Sequence, residues 1–121
     1  MESFSFGDSL EMADELFALV LSGKKTATSW AATHGSHNSE VGKQQIIKDS
    51  KDSPRAIIET IELKLQKFDE VDETFAQKEG EGDLSLDYWR KEHKRYFTQE
   101  GTFSPSMEVY CQRFKVVEII S

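Results

Sequence analysis

Across a single glycine the chain changes its period. From Leu10 to Leu21 the apolar residues Leu10, Ala13, Leu16, Phe17, Val20 and Leu21 recur three or four apart, which lays one apolar stripe along a helix. Gly23 follows as a natural end residue, because it takes the left-handed conformation that closes many helices. Thr26 to Trp30 is then rich in β-formers and reads as a strand. Asp8 or Ser9 is placed to cap the helix, and Phe4 and Phe6, alternating with serines, open a short strand before it. A helix that turns directly into a strand commits this region to a mixed architecture.

The later segments continue the mixture without a regular rhythm. Ala31 to Val41 is a polar loop, Gln44 to Lys48 a short strand, and Asp49 to Pro54 a turn. Arg55 to Gln66 reads as a long strand with Ile57, Ile61, Leu63 and Leu65 on one face and Glu59 as the exception there. Asp69 is expected to cap a short helix running through Gln77, after which Gly80 and Gly82 break the chain. Asp83 or Ser85 starts a second substantial helix. On it Leu86, Trp89, His93, Tyr96 and Phe97 share one face. Gly101 ends that helix, and Glu108 to Ile120 is the last strand region. Strands interrupted by helices without a βαβ repeat favour an α+β fold with a mostly antiparallel or barrel-like sheet. A length of 121 residues suits one domain, spanning 1–121, with one core.

Charge narrows the function classes. Fifteen basic and 22 acidic residues leave a net charge of −7, which argues against tight, nonspecific binding to a polyanion. The distribution is uneven. Eight acids and only Lys78 as a base lie between Asp69 and Asp87, whereas Arg90 to Arg95 holds four bases and one acid. That is a local basic lip and not a long groove. A small ligand or a short single-stranded element fits it better than a duplex. No apolar run approaches the roughly 18 residues of a membrane span, so no membrane partner is expected. The start Met1-Glu2-Ser3-Phe4 lacks a basic leader, and a cytoplasmic location is the default expectation. One cysteine, Cys111, makes no internal disulfide and reads as a buried structural thiol.

The run Gly23-Lys24-Lys25-Thr26-Ala27-Thr28-Ser29-Trp30 gathers two amines, three hydroxyls and an indole at the helix–strand junction. A threonine hydroxyl becomes a nucleophile when a base takes its proton. Lysine serves as that base when desolvation or a neighbouring cation lowers its pKa well below about 10.4. Lys24 beside Lys25 offers such a cation. The plain alternative is a solvated helix end, where lysines suit the negative end of the dipole. Strand alternation puts Lys24, Thr26, Thr28 and Trp30 on one face and Lys25, Ala27 and Ser29 on the other. A Lys25–Thr28 pair therefore needs Lys25 in the turn or at a bulge.

Glu79-Gly80-Glu81-Gly82-Asp83 sets three carboxylates among two glycines, either a ligand-approaching loop or a solvated acidic cap. Leu86, Trp89 and Phe97 are assigned to packing. His93 is a core histidine or a ligand-facing donor beside Tyr96, and Arg90 flanks this face within reach of a phosphate. His34 and His37 lack the further ligands that zinc requires, so no metal is expected. Neither GxxxxGK[ST] nor GxGxxG occurs, and no cofactor is expected.

These stretches, in this order, resemble the ASCH domain family of the PUA-like superfamily. The matching segments are Leu21 to Thr28, Phe75 to Asp83, Ser85 to His93 with Phe97, and Cys111 to Val117. The resemblance is to the longer subgroup that carries the Glu-Gly-Glu-Gly-Asp stretch. It implies a compact PUA-like β-barrel with flanking helices and a cleft suited to RNA or a modified nucleoside. Some members are similar to bacterial amidohydrolases that deacetylate acetylcytidine. Their Lys-Thr-x-Thr motif implies Lys25 and the nucleophile Thr28, completed by Glu79, with Glu81 as the alternative carboxylate. Lys24, Trp30, Glu81, Arg90, His93, Tyr96 and Arg113 are the candidate ligand contacts. Other members resemble single-stranded RNA-binding modules, and some are associated with ribonuclease activity. The resemblance thus leaves three readings: amidohydrolase, binding module and ribonuclease.

Overall fold

The computed structural model describes residues 2–4, 10–35 and 39–120. The caps expected at Asp8 or Ser9, the strand position of Phe6, and His37 lie outside them. In chain order the elements are β1 (Ser3–Phe4), α1 (Leu10–Leu21), β2 (Ala27–Ala31), β3 (Gln44–Lys48), β4 (Pro54–Lys67), α2 (Glu73–Glu79), α3 (Leu86–Glu100) and β5 (Glu108–Ile119). The five strands form one sheet in the order β1-β3-β4-β5-β2. β1 pairs parallel to β3, and every other neighbouring pair is antiparallel. The fold is α+β and PUA-like, as expected, but the sheet is open and not a closed barrel. Its two edges are β1, of two residues, and β2, of five, and they are separated by three strands.

The core has two parts on opposite faces of β5. Leu16, Phe17 and Val20 of α1 pack against Ile47, Ala56, Ile58 and Phe114. On the other side, Phe75 and Ala76 of α2 and Trp89 and Phe97 of α3 pack with Phe68, Val71, Ala27, Ala31, Val109 and Cys111. Strand alternation explains the division, since Val109 and Cys111 point one way and Phe114 the other. Leu21, at the end of the α1 stripe, is exposed.

Two expectations are corrected. The buried face of β4 is Ala56, Ile58 and Thr60, whereas Ile61 and Leu65 are exposed. A register shift between Thr60 and Glu62 inserts one residue into the strand, which resets the alternation there. Asp69 does not cap α2 but lies in a 3₁₀ turn at Phe68–Glu70. Val71 then turns extended, and Asp72 becomes the cap, accepting the Phe75 N–H at 2.9 Å. Ser85 caps α3, accepting the Tyr88 N–H at 3.0 Å.

Gly80 locks α2 to the start of β2. Its φ of +73° is left-handed, and a Cβ there would lie 2.2 Å from the Lys24 carbonyl oxygen. Only glycine satisfies both conditions. Beside it the Thr26 N–H donates to the Lys78 carbonyl at 2.7 Å. The two contacts seat residues 79–81 against residues 24–26.

A charged cleft along the edge strand

Lys25 is among the largest fully buried side chains of the described residues, at 1% exposure. It precedes β2 and follows the left-handed Gly23, so it turns inward where Lys24 remains exposed. Its Nζ donates to Glu79 Oε1 at 3.3 Å, to the Glu79 carbonyl at 3.4 Å and to Glu81 Oε2 at 3.0 Å. The alternatives Glu79 and Glu81 therefore both meet the lysine. They differ in depth: Glu79 is 2% exposed and Glu81 18%.

Glu79 is the hub. Its Oε2 accepts the Ser29 hydroxyl at 2.7 Å and the Trp89 indole N–H at 2.5 Å. His93 Nε2 lies 3.5 Å from the same oxygen. His93 Nδ1 faces the Trp89 carbonyl at 2.9 Å, a geometry that makes Nδ1 the N–H donor. The imidazole also stacks on the Trp89 indole, with centroids 4.2 Å apart. Burial pushes the Glu79 carboxyl upward. Lys25, then His93, then the hydrogen bonds from Trp89 and Ser29 outweigh it and hold the carboxyl below its ordinary value. By contrast, burial pushes the Cys111 thiol up to about 12, so it stays protonated and inert.

This network floors a cleft of about 340 Å³. Because β2 is an edge strand, the cleft reaches around it. Ser29 borders it from one face of the strand and Thr28 and Trp30 from the other. Trp30 stacks on Tyr110, with centroids 5.7 Å apart, and its indole N–H donates to the Gly35 carbonyl at 2.7 Å. Tyr96 lines the α3 side. At the mouth Arg95 binds Glu92 at 2.5 Å, and His34 lies 3.3 Å from Glu100.

Seven of the expected site residues thus share one cleft: Lys25, Thr28, Trp30, Glu79, Glu81, His93 and Tyr96. Three do not border it. Lys24 contributes its backbone to the Gly80 contact. Arg90 is exposed and reaches the Asp69 carbonyl at 3.5 Å. Arg113 pairs with Glu62 at 3.8 Å. Sequence reasoning counted Ser29 among the hydroxyls of the junction, on the face of Lys25, but did not single it out as a site residue. It also missed the mouth residues Glu92 and Glu100. Their signal was the spacing of Glu92, Tyr96 and Glu100, a polar stripe beside the apolar one. Trp89, expected only to pack, also donates to the hub. Among the described residues no group of three or more His, Cys, Asp or Glu side chains is arranged to hold a metal ion.

An open α+β sheet with a helix pair on one face, a single helix on the other and a charged cleft at the edge strand places this molecule in the PUA-like class. The chain belongs to the ASCH domain family, whose model matches residues 2–118, a family associated with RNA binding. A crystal structure from Enterococcus faecalis V583, assigned to the family DUF984, is similar at 37% identity and a TM-score of 0.87, covering 99% of this chain and 82% of that one. An ASCH domain from Lactobacillus crispatus JV V101 is similar at 30% identity and a TM-score of 0.88, covering 96% of this chain and 79% of that one. No curated protein matches the chain. Among the described residues no helix is long and apolar enough to cross a membrane.

Proposed function

We propose that the cleft binds a modified nucleoside and hydrolyses an acyl amide on the exocyclic nitrogen of its base, as in acetylcytidine. The observation that carries this reading is the buried Lys25–Glu79 ion pair at the floor of a cleft that the Ser29 and Thr28 hydroxyl side chains also line. Desolvating such a pair costs several kcal/mol per ion, roughly, and a buried pair is weak evidence for stability. A desolvated carboxylate paired with a lysine at the floor of a cleft fits a functional site.

In this reading the Thr28 hydroxyl attacks the acetyl carbonyl. Lys25 relays protons, giving one to the leaving nitrogen as it takes that of Thr28. Glu79 holds Lys25 in place, and water then releases acetate from Thr28. Trp30 and Tyr96 hold the base, and such stacking contributes on the order of 1–3 kcal/mol per base. The test is chromatographic conversion of acetylcytidine to cytidine by the wild type, Lys25→Ala and Thr28→Ala, purified side by side. The expected result is turnover in the wild type and a loss of about 100-fold or more in both variants. A wild type without turnover would refute the hydrolase.

A second reading is a single-stranded RNA-binding module without chemistry. Lys91, Lys94 and Arg95 favour it, since they form an exposed basic surface on α3 next to the cleft mouth. RNA held there would dissociate as salt is raised, because cation–phosphate contacts release counterions.

A further inference from the structure

The cleft mouth is acidic. Four glutamates, Glu79, Glu81, Glu92 and Glu100, border the cleft, against one lysine and one arginine among the described residues. Both cations already face carboxylates. Lys25 lies between Glu79 and Glu81 at the floor. Arg95 donates to Glu92 Oε1 at 2.5 and 2.9 Å and to Gln99 Oε1 at 3.2 Å. The two lining histidines also face acids, His93 toward Glu79 and His34 toward Glu100. Arg90 and Arg113, which would welcome a phosphate, lie outside the cleft on other partners.

The acids are graded by depth. Glu79 is at the floor, compensated by Lys25 and by the Ser29 and Trp89 donors. Glu81, Glu92 and Glu100 are partly exposed, so a ligand substituent that extends out of the cleft passes them. A phosphate there carries about −1.5 to −2 charges at neutral pH. Inside the cleft it would meet carboxylates in a partly desolvated setting, where the lining cations Lys25 and Arg95 already face carboxylates; Lys91 and Lys94 lie beyond that lining.

We infer that this cleft selects an uncharged nucleoside over its 5′-phosphorylated form, with Glu81 and Glu92 as the discriminating residues. The inference rests on the nucleoside reading above. A like charge at the rim of a cleft weakens binding on the order of tenfold. Glu92 acts twice, since it repels phosphate and also occupies Arg95.

The test is calorimetric titration of the whole chain with cytidine, acetylcytidine and cytidine 5′-monophosphate, repeated with Glu81→Gln and Glu92→Gln. The expected result is that the nucleosides bind at least about tenfold more tightly than the monophosphate. Glu92→Gln should narrow that ratio by about tenfold, and Glu81→Gln by somewhat less, because Lys25 already compensates Glu81. Monophosphate binding as tight as that of the nucleosides would overturn the inference and leave the nucleoside reading standing. Ratios unchanged in both variants would overturn the assignment to these residues. No binding of any of the three would overturn the nucleoside reading and the inference together.

Discussion

Of two buried polar networks among the described residues, one charged and one neutral, only the charged one opens onto the cleft. In the neutral network Gln112 Nε2 donates to Thr60 Oγ1 at 2.6 Å and to Gln45 Oε1 at 3.4 Å, and Gln45 Nε2 donates to Ser39 Oγ at 3.4 Å. It ties β3, β4 and β5 together, and none of its members borders the cleft. In the charged network Lys25, Glu79, Ser29, Trp89 and His93 tie β2 to α2 and α3. Satisfied neutral groups contribute roughly 0.5–1.5 kcal/mol per hydrogen bond. Buried charges are costly to desolvate, and apolar residues of similar volume are often as stabilising. The neutral network thus specifies how strands fit together, whereas the charged one is what the proposed function would account for.

The sharpest way to break this contrast is Glu79→Ala. It leaves Lys25, the Trp89 N–H and the Ser29 hydroxyl without their shared acceptor, and should cost about 3–5 kcal/mol in urea unfolding. The double variant Lys25→Met with Glu79→Gln removes both charges while keeping an acceptor for Trp89. It should recover most of that stability and still lose acetylcytidine binding. Retained binding in the double variant would show that the charges serve stability and not the ligand.

Next in size is Gly80→Ala. Left-handed strain of about 1–2 kcal/mol is joined by the clash with the Lys24 carbonyl. Unfolding should shift by about 2 kcal/mol or more, together with a loss of ligand affinity as residues 79–81 leave their seat. Wild-type stability in this variant would show that the seat adapts.

The acid limb of stability separates the two networks by titration. Glu79 is held below its ordinary value of 4.5 in the folded protein. Its contribution is therefore complete above that pH and is lost as pH falls through the lower folded value. Asp14, Asp49 and Asp83 are likewise lowered, chiefly by hydrogen bonds from Ser50, Ser53 and Ser85 respectively. They are common to wild type and Glu79→Gln, so the difference between the two unfolding profiles isolates Glu79. The variant should be less sensitive to acid below pH 4.5. Parallel profiles would remove Glu79 from the account.

The smallest effect belongs to the neutral network. Gln112→Leu should cost about 1–2 kcal/mol by stranding the Thr60 hydroxyl, and Thr60→Val added to it should restore most of the loss. Ligand affinity should not change in either case, and titration of the double variant checks this.

Much of the fold was legible. The limits of α1 and β3 agree with the periodicity, and Ser85 and Gly101 bound α3 as their residue types suggest. The face of β4 was not legible, because Ile61 reads as one more apolar alternation until the pairing with β5 shows the inserted residue. Nor was sheet closure, since the pattern of strands does not say whether the outer two meet. At the site, alternation correctly set Ser29 on the side of Lys25, yet it could not rank Glu79 against Glu81. They are two residues apart around a glycine whose turn brings both to one amine.

Most local order was decided by the sequence itself: which segments are helix or strand, how α1 and α3 end, and that a lysine, hydroxyls and carboxylates cluster in two short runs; the cap of α2 was not. Periodicity and capping act over a few residues, so a linear reading captures them. Only the tertiary structure decided that Lys25 is buried, that Glu79 is its floor and Glu81 its rim, and that Arg90 and Arg113 are elsewhere. Those outcomes depend on desolvation and on distances between groups more than 50 residues apart in the chain, and neither quantity is a property of a local pattern.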